Sequence, residues 1–240
     1  MELRFMNWKE VEAYLKNDDR VIVPIGSTEQ HGPYGLFGTD HMTADMIARG
    51  VAERLKIIAA PVIPIGMSAH HMTFPGSLTF KPQTFMTILE EIIESLRTHG
   101  FRRVMLLNGH GGNRDTVRTA LSSFINDMPE MRVYFRCWWE PEDVNAYIKE
   151  NFGDREGHHS SPSETSQMMY HFSEHVKPVD VEFREMKRSE YFADKETFRN
   201  LYPDGVMGAD VNMATKEHGE QLYMKCVSAI SEEISQWEKA

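Results

Sequence analysis

Residues 24–41, Pro-Ile-Gly-Ser-Thr-Glu-Gln-His-Gly-Pro-Tyr-Gly-Leu-Phe-Gly-Thr-Asp-His, set Glu29, His31 and Asp40 in a glycine-rich stretch directly behind the apolar run Val21-Ile22-Val23. Glu29 and His31 are two residues apart, so extended backbone sends both side chains to one face. The loop that follows is long enough to bring Asp40 back toward them. Three such donors can converge on one divalent cation, or on two that share a carboxylate. As ordinary structure, Glu29 would cap a turn, His31 would be a satisfied surface histidine and Asp40 would cap the next helix.

Two further segments have the same character. Leu106-Leu107-Asn108-Gly109-His110-Gly111-Gly112-Asn113 again follows an apolar run, Arg103 to Leu107, and flanks a histidine with glycines that permit close approach. Asn113 is placed to cap the following helix. Gly157-His158-His159-Ser160-Ser161-Pro162-Ser163-Glu164-Thr165-Ser166 puts two histidines ahead of a carboxylate that opens a helical stretch. Ser161 or Ser163 could cap that helix, with Glu164 favouring its positive end.

Together these segments resemble the signatures of the creatininase, or creatinine amidohydrolase, family of dinuclear metal hydrolases: residues 26–32 continuing to Thr39-Asp40, residues 108–113, and His159 through Glu164-Thr165-Ser166. The resemblance implies a three-layer α/β/α sandwich with a mainly parallel central sheet. It also implies that Glu29, Asp40 and His110 hold one metal, that His31, the shared Asp40 and Glu164 hold the other, and that His159 faces the substrate. Zinc is favoured, with manganese or iron also suited to nitrogen and oxygen donors. Hydroxide bridging two such cations would attack the carbonyl of a small cyclic amide, with His159 or Glu164 moving the proton.

Two departures bear on the substrate. The third signature reads Ser160-Ser161-Pro162-Ser163 between His159 and Glu164, and creatininase proper carries a carboxylate ligand at the position of Gly112. Glycine has no ligating side chain, so Glu164 has to complete the second set. An alternative with the same centre is hydrolytic opening of a cyclic keto-polyol or lactone-like ring in sugar or inositol breakdown. A non-catalytic metal-binding scaffold subunit would be expected to have lost ligands, and every ligand position here is filled.

The elements that must position these residues alternate. Asn7 to Glu10 form a capping-box pattern ahead of a helix to Lys16; Val21 to Pro24 is a strand; Thr43 to Lys56 is a helix; Ile57 to Ile65 returns as a strand. Lys81-Pro82 opens a helix with Phe85, Ile88, Leu89, Ile92 and Leu96 on its buried stripe, ended by Gly100. Arg103 to Leu107, the helix from Asn113 to Asn126 and the strand Arg132 to Cys137 complete the pattern, with a terminal helix from Lys216 behind Thr215. Apolar strands alternating with amphipathic helices imply a parallel sheet covered on both faces, with ligands gathering beyond the carboxyl ends of the strands.

Residues 66–77 follow a further strand and reach the same rim, with Ser68 and His70 expected to face substrate. Trp138-Trp139 could wall the pocket, Trp138 touching substrate. Residues 202–210 look like a lid or subunit contact. At 240 residues without a low-complexity divider, residues 1–240 read as one hydrolase domain. The net charge of -10 and the lack of a basic run interleaved with aromatics argue against nucleic acid. No apolar run approaches the ~18 residues of a membrane span, and the N-terminus lacks a leader pattern, so a cytoplasmic protein without a membrane partner is expected. Cys137 and Cys226 read as free thiols. The family resemblance further implies a small-molecule substrate and a homo-oligomer, a hexamer being favoured.

Overall fold

The computed structural model describes residues 1–177, 180–187 and 192–237. Its centre is a parallel four-stranded sheet in the order β2-β1-β3-β4, with β1 Arg20–Ile25, β2 Ile58–Ala59, β3 Arg103–Asn108 and β4 Arg132–Cys137. Ile25 lies opposite Asn108, and Asn108 opposite Cys137. The three long strands therefore run out at the same level, and the loops that follow them open on one rim.

Alternation along the strands sorts the core into two faces. Ile22, Met105 and Leu107 pack against α2 (Thr39–Leu55), α5 (Glu142–Phe152) and α8 (Lys216–Ser235) through Ile47, Val144 and Leu222. Val21, Val23, Val104 and Leu106 pack on the other face against α3 (Pro82–His99) and α4 (Arg114–Phe124) through Phe85, Leu89 and Val117. This is the expected α/β/α sandwich. Two shorter helices, α6 (Pro162–His171) and α7 (Lys195–Leu201), and the N-terminal α1 (Trp8–Leu15) are the other α-helices among the described residues.

Helix ends follow local chemistry. Asn7 caps α1 in a full capping box with Glu10, Pro82 occupies the first turn of α3, and Gly100 ends α3 at φ +105°. Thr215 caps α8 by accepting from the His218 N–H. The buried residues of α3 are Phe85, Leu89, Ile93 and Leu96; Ile88 and Ile92 flank that stripe and are only partly covered.

Three expectations are corrected. The strand read over residues 57–65 is paired only at Ile58–Ala59, with an isolated bridge from Ile25 to Ile63. Pro24 offers no N–H on that side of β1, so the ladder breaks between the Ala60 and Ile63 contacts. Helix α2 begins at Thr39, so Asp40 sits in its first turn and not in a loop. Asn113 does not cap α4; its side chain bonds instead to the loops of the rim.

Candidate metal centre

The rim is assembled by three joints. Residues 26–32 leave β1, residues 108–113 leave β3, and the first turn of α2 is pressed between them. A Cβ on Gly109 would fall 2.0 Å from the Asp40 carbonyl oxygen, so only glycine lets α2 seat there. Asn113 ties the loops together: its Nδ2 donates to Gly26 O at 3.0 Å and Asn108 Oδ1 at 3.1 Å, and its Oδ1 accepts from the Met67 N–H at 2.9 Å. That role fully buries Asn113 and explains why it is unavailable as a cap.

The joints bring Glu29, His31, Asp40, His110 and Glu164 together. Ligand atoms of Glu29, Asp40 and His110 lie within 4.8 Å of one another, and so do those of His31, Asp40 and Glu164. Asp40 is common to both sets. Its Oδ1 is 3.1 Å from His31 Nε2 and its Oδ2 is 3.0 Å from His110 Nδ1. The other nitrogen of each imidazole faces a backbone carbonyl, which can only accept: His31 Nδ1 lies 3.1 Å from Glu29 O, and His110 Nε2 lies 2.9 Å from Met67 O. Each ring thus donates from the outer nitrogen and turns the inner one to Asp40, the arrangement by which proteins orient ligand histidines.

Glu29 is fully buried, and its Oε2 accepts from the hydroxyls of Ser27, at 3.0 Å, and Ser68. Its Oε1 faces His71 Nε2 at 3.3 Å and His159 Nδ1 at 3.5 Å. Neither Glu29 Oε1 nor Asp40 Oδ2 accepts a hydrogen bond, although imidazole nitrogens are close. Donor atoms bound to one zinc ion at its usual bond lengths stand about 3.0–3.4 Å apart, depending on the angle between them. A buried Asp40 Oδ2 at that distance from the ligand imidazole of His110, without hydrogen-bond alignment, is what a shared cation requires. The residues present therefore fit divalent metal.

Glu164 is half-buried at the start of α6. It does what its capping position demands, accepting from Ser161 N–H at 2.9 Å while Ser161 Oγ accepts from its own N–H at 3.2 Å, and it also joins the second set. Capping and ligation are compatible because a carboxylate has two oxygens.

Electrostatics agree with a cation site. Burial disfavours charge on His31, but the Asp40 carboxylate, backed by Glu164 and Glu29, holds that imidazole up at about 10. His110, likewise opposed by burial, is held at about 9 by Glu29 and Asp40. Burial works to raise Glu29, yet His110, His71 and His159 keep it well below the usual carboxylate range. Glu164 is pushed up by burial against the pull of His31. His159, buried and next to His31 and His71, is driven well down and stays neutral.

The remaining sequence candidates separate. Ser68 reaches Glu29, as above. His70 does not reach the cluster. His71 does, and the His70 ring lies tilted against it with ring centroids 4.1 Å apart, its pKa pressed down to about 4 by burial and by His71. Adjacent residues in a tight turn point apart, and nothing in the sequence says which one points inward. His159 packs between His31 and His71, both ring centroids 4.4 Å away. Trp138 is almost wholly buried beneath the rim, its indole N–H without a partner, and shares with Trp139, Gly111, Glu156, Ser161 and Glu164 the wall of a cavity of about 420 Å³. A larger hollow beyond residues 156–158 contains none of the ligand residues. Gln30, which sequence reasoning passed over, lies at the centre of the histidines. Its only signal is its place between Glu29 and His31.

Comparison with known proteins places this geometry. Residues 4–234 match the profile of the creatininase family, creatinine amidohydrolase. The chain is 25% identical to creatinine amidohydrolase of Pseudomonas putida over 95% of its own length and 94% of that protein's. It is 26% identical to mycofactocin precursor peptide peptidase of Mycolicibacterium smegmatis, over 91% and 85% respectively. It is 36% identical to 3-dehydro-scyllo-inosose hydrolase of Thermotoga maritima over a shorter stretch, 44% of this chain and 34% of that one. A solved mutant creatininase of Zn–Zn type superposes with a TM-score of 0.83 at 25% identity, covering 98% of this chain and 97% of that one. The chain belongs to the creatininase family of metal-dependent amidohydrolases.

Proposed function

We propose that this chain is a dinuclear hydrolase of a small cyclic amide or related compound, with one cation held by Glu29, Asp40 and His110 and the other by His31, Asp40 and Glu164. The observation that carries this reading is Asp40, whose two oxygens face two different imidazoles. Zinc is favoured by the borderline nitrogen and oxygen donors, with manganese or iron as alternatives. When bound, such cations polarise a carbonyl and make water nucleophilic near neutral pH.

The chain's own residues supply the rest. Ser27 and Ser68 fix Glu29 Oε2, Glu164 is held by its capping box, and neutral His159 is available to accept or return a proton beside the cluster. The cavity beside Glu164 admits a small substrate, and its Trp138 and Trp139 wall sheds water from it. A side chain on Gly112 would place its Cβ 2.4 Å from His110 Nε2 and 2.6 Å from Met67 O. A carboxylate at that position is thus incompatible with this His110, which supports Glu164 as the closing ligand and predicts poor turnover of creatinine itself.

A second reading, opening of a cyclic keto-polyol, is favoured by the polar groups lining the same cavity, among them Asn145, Ser161, Ser163 and Glu156, which suit hydroxyl-rich rings. It also draws on the inosose hydrolase relative. We read residues 1–240 as one domain acting on a small molecule in the cytoplasm as a homo-oligomer, a hexamer by family. Among the described residues no helix is long and apolar enough to cross a membrane. Assembly is supported by exposed aromatic residues, Phe5 and Trp8 near the N-terminus and Phe192 in the later loops.

Elemental analysis of wild type and Asp40→Asn, followed by a screen of cyclic amides and keto-polyols, tests the reading. About two metals per chain falling at both sites in the variant, with amine released from an amide, is the expected result; metal-free protein unresponsive to zinc or manganese would remove it.

A further inference from the structure

Gln30 is fully surrounded, and its hydrogen bonds can be counted. Its Oε1 lies 2.8 Å from Gly32 N, which can only donate, and its Nε2 lies 2.9 Å from Gly205 O, which can only accept. Backbone partners at both ends fix which amide atom is oxygen and which is nitrogen. The nitrogen has a second proton and two further neighbours, His71 Nδ1 at 2.9 Å and His159 Nε2 at 3.0 Å. His159 Nε2 is also 2.7 Å from the main-chain oxygen of Gln30 itself, again an acceptor only. That nitrogen must therefore carry its own proton and donate it to Gln30 O, so it cannot take one from the side chain. The second amide proton goes to His71 Nδ1.

From this count we infer that Gln30 is a positioning residue that sets both inner histidines as Nε2–H tautomers, with opposite consequences at Glu29. His71, accepting at Nδ1, presents its N–H to Glu29 Oε1, 3.3 Å away. His159, donating at Nε2, presents a bare Nδ1 to the same oxygen at 3.5 Å. Of the two, only His159 has a lone pair facing the cluster, and Nδ1 is the nitrogen through which it accepts a proton there. Its use in turnover rests on the proposed function; the tautomers do not.

The inference also gives residues 202–210 a task. Gly205 adopts φ +84°, and a Cβ there would lie 1.9 Å from Gln30 Oε1, so the segment delivers a bare backbone carbonyl to Gln30 that no other residue could bring so close. Met207 pairs with the same strand of contacts, accepting from His158 N–H at 2.9 Å and donating to His159 O at 3.3 Å. The segment read from sequence as a lid or subunit contact is thereby coupled through the Gln30 side-chain amide to the His71 imidazole, while the main chain of the same residue holds His159.

Neutron diffraction from deuterium-exchanged crystals of the zinc-loaded full chain reads the tautomers directly, whatever the oligomer. Deuterium on Nε2 and none on Nδ1 of both His71 and His159 is expected; deuterium on Nδ1 of either one overturns the inference. Gln30→Leu provides the second measurement. The variant keeps the main-chain oxygen that holds His159 but removes the side-chain proton that His71 Nδ1 accepts, so, with the fold intact by circular dichroism, the same diffraction measurement should find His159 still deuterated on Nε2 and the Nε2–H preference of His71 lost; a His71 still deuterated on Nε2 alone would overturn the assignment. Should wild type bind no zinc, the proposed function fails, while the same diffraction measurement on that protein still decides the tautomers.

Discussion

Loading the centre with metal should expel protons, and the pH dependence can be worked from the imidazoles. In the metal-free site His31 is held at about 10 and His110 at about 9, so at neutral pH both nitrogens that face Asp40 carry protons that a cation must displace. Each displaced proton makes the apparent affinity rise about tenfold per pH unit below the pKa of the group. The product of the two zinc association constants should therefore climb about 100-fold per pH unit up to pH about 9, about tenfold per unit from there to about 10, and level off above. The stability of the metal-free protein has the opposite sign. Folded-state values raised above that of a free imidazole contribute stability that is complete below pH ~6.5 and is lost as pH rises through 9 to 10, so the metal-free protein should melt lower at pH 9.5 than at pH 6.5. Zinc competition across pH 6.5–10, with calorimetry in buffers of differing ionisation enthalpy to count protons, measures both quantities. Affinity independent of pH below 9, or uptake that releases no protons, would refute the pairing of Asp40 with two protonated imidazoles.

The other predictions concern separate parts of the site. Glu164→Gln should weaken one metal site and turnover together, whereas His159→Ala should keep near-normal metal content while turnover collapses; elemental analysis showing the reverse pattern would reassign the third segment. Asn113→Ala strands the buried Gly26 carbonyl and the Met67 N–H, each costing about 1–3 kcal/mol, so thermal denaturation should show a clear loss of stability together with reduced metal occupancy. Light scattering should return a multiple of the 27.7 kDa chain, and a monomer mass at all concentrations would contradict assembly.

The sequence carries much of this architecture because the relevant signals are local. Capping at Asn7, the proline start and glycine stop of α3, and strands exiting into Glu29 and His110 loops each depend on neighbours within a few residues, and each is found in the structure. Long-range facts are less legible. Asp40 can be picked out by type, but its place in the first turn of α2 depends on Gly109 accepting that turn from another strand's loop. Asn113 carries a good capping residue's chemistry, yet its partners, Gly26 O and the Met67 N–H from two other loops and Asn108 Oδ1 at the end of its own strand, take its side chain away from the helix end. The choice between His70 and His71 is made by a tight turn, not by residue type. Gln30 is invisible to a search for ligands because an amide does not titrate and is a weak ligand beside imidazole and carboxylate; its role exists only once residues 71, 159 and 205 surround it.

The central claim, that one carboxylate joins two cation sites, is tested most directly by anomalous diffraction at the zinc edge from crystals of the zinc-loaded chain. Two peaks are predicted, one among Glu29, Asp40 and His110 and the other among His31, Asp40 and Glu164, each contacting a different oxygen of Asp40. A single peak, or a second one held by His159 with Glu164 turned away, would contradict it.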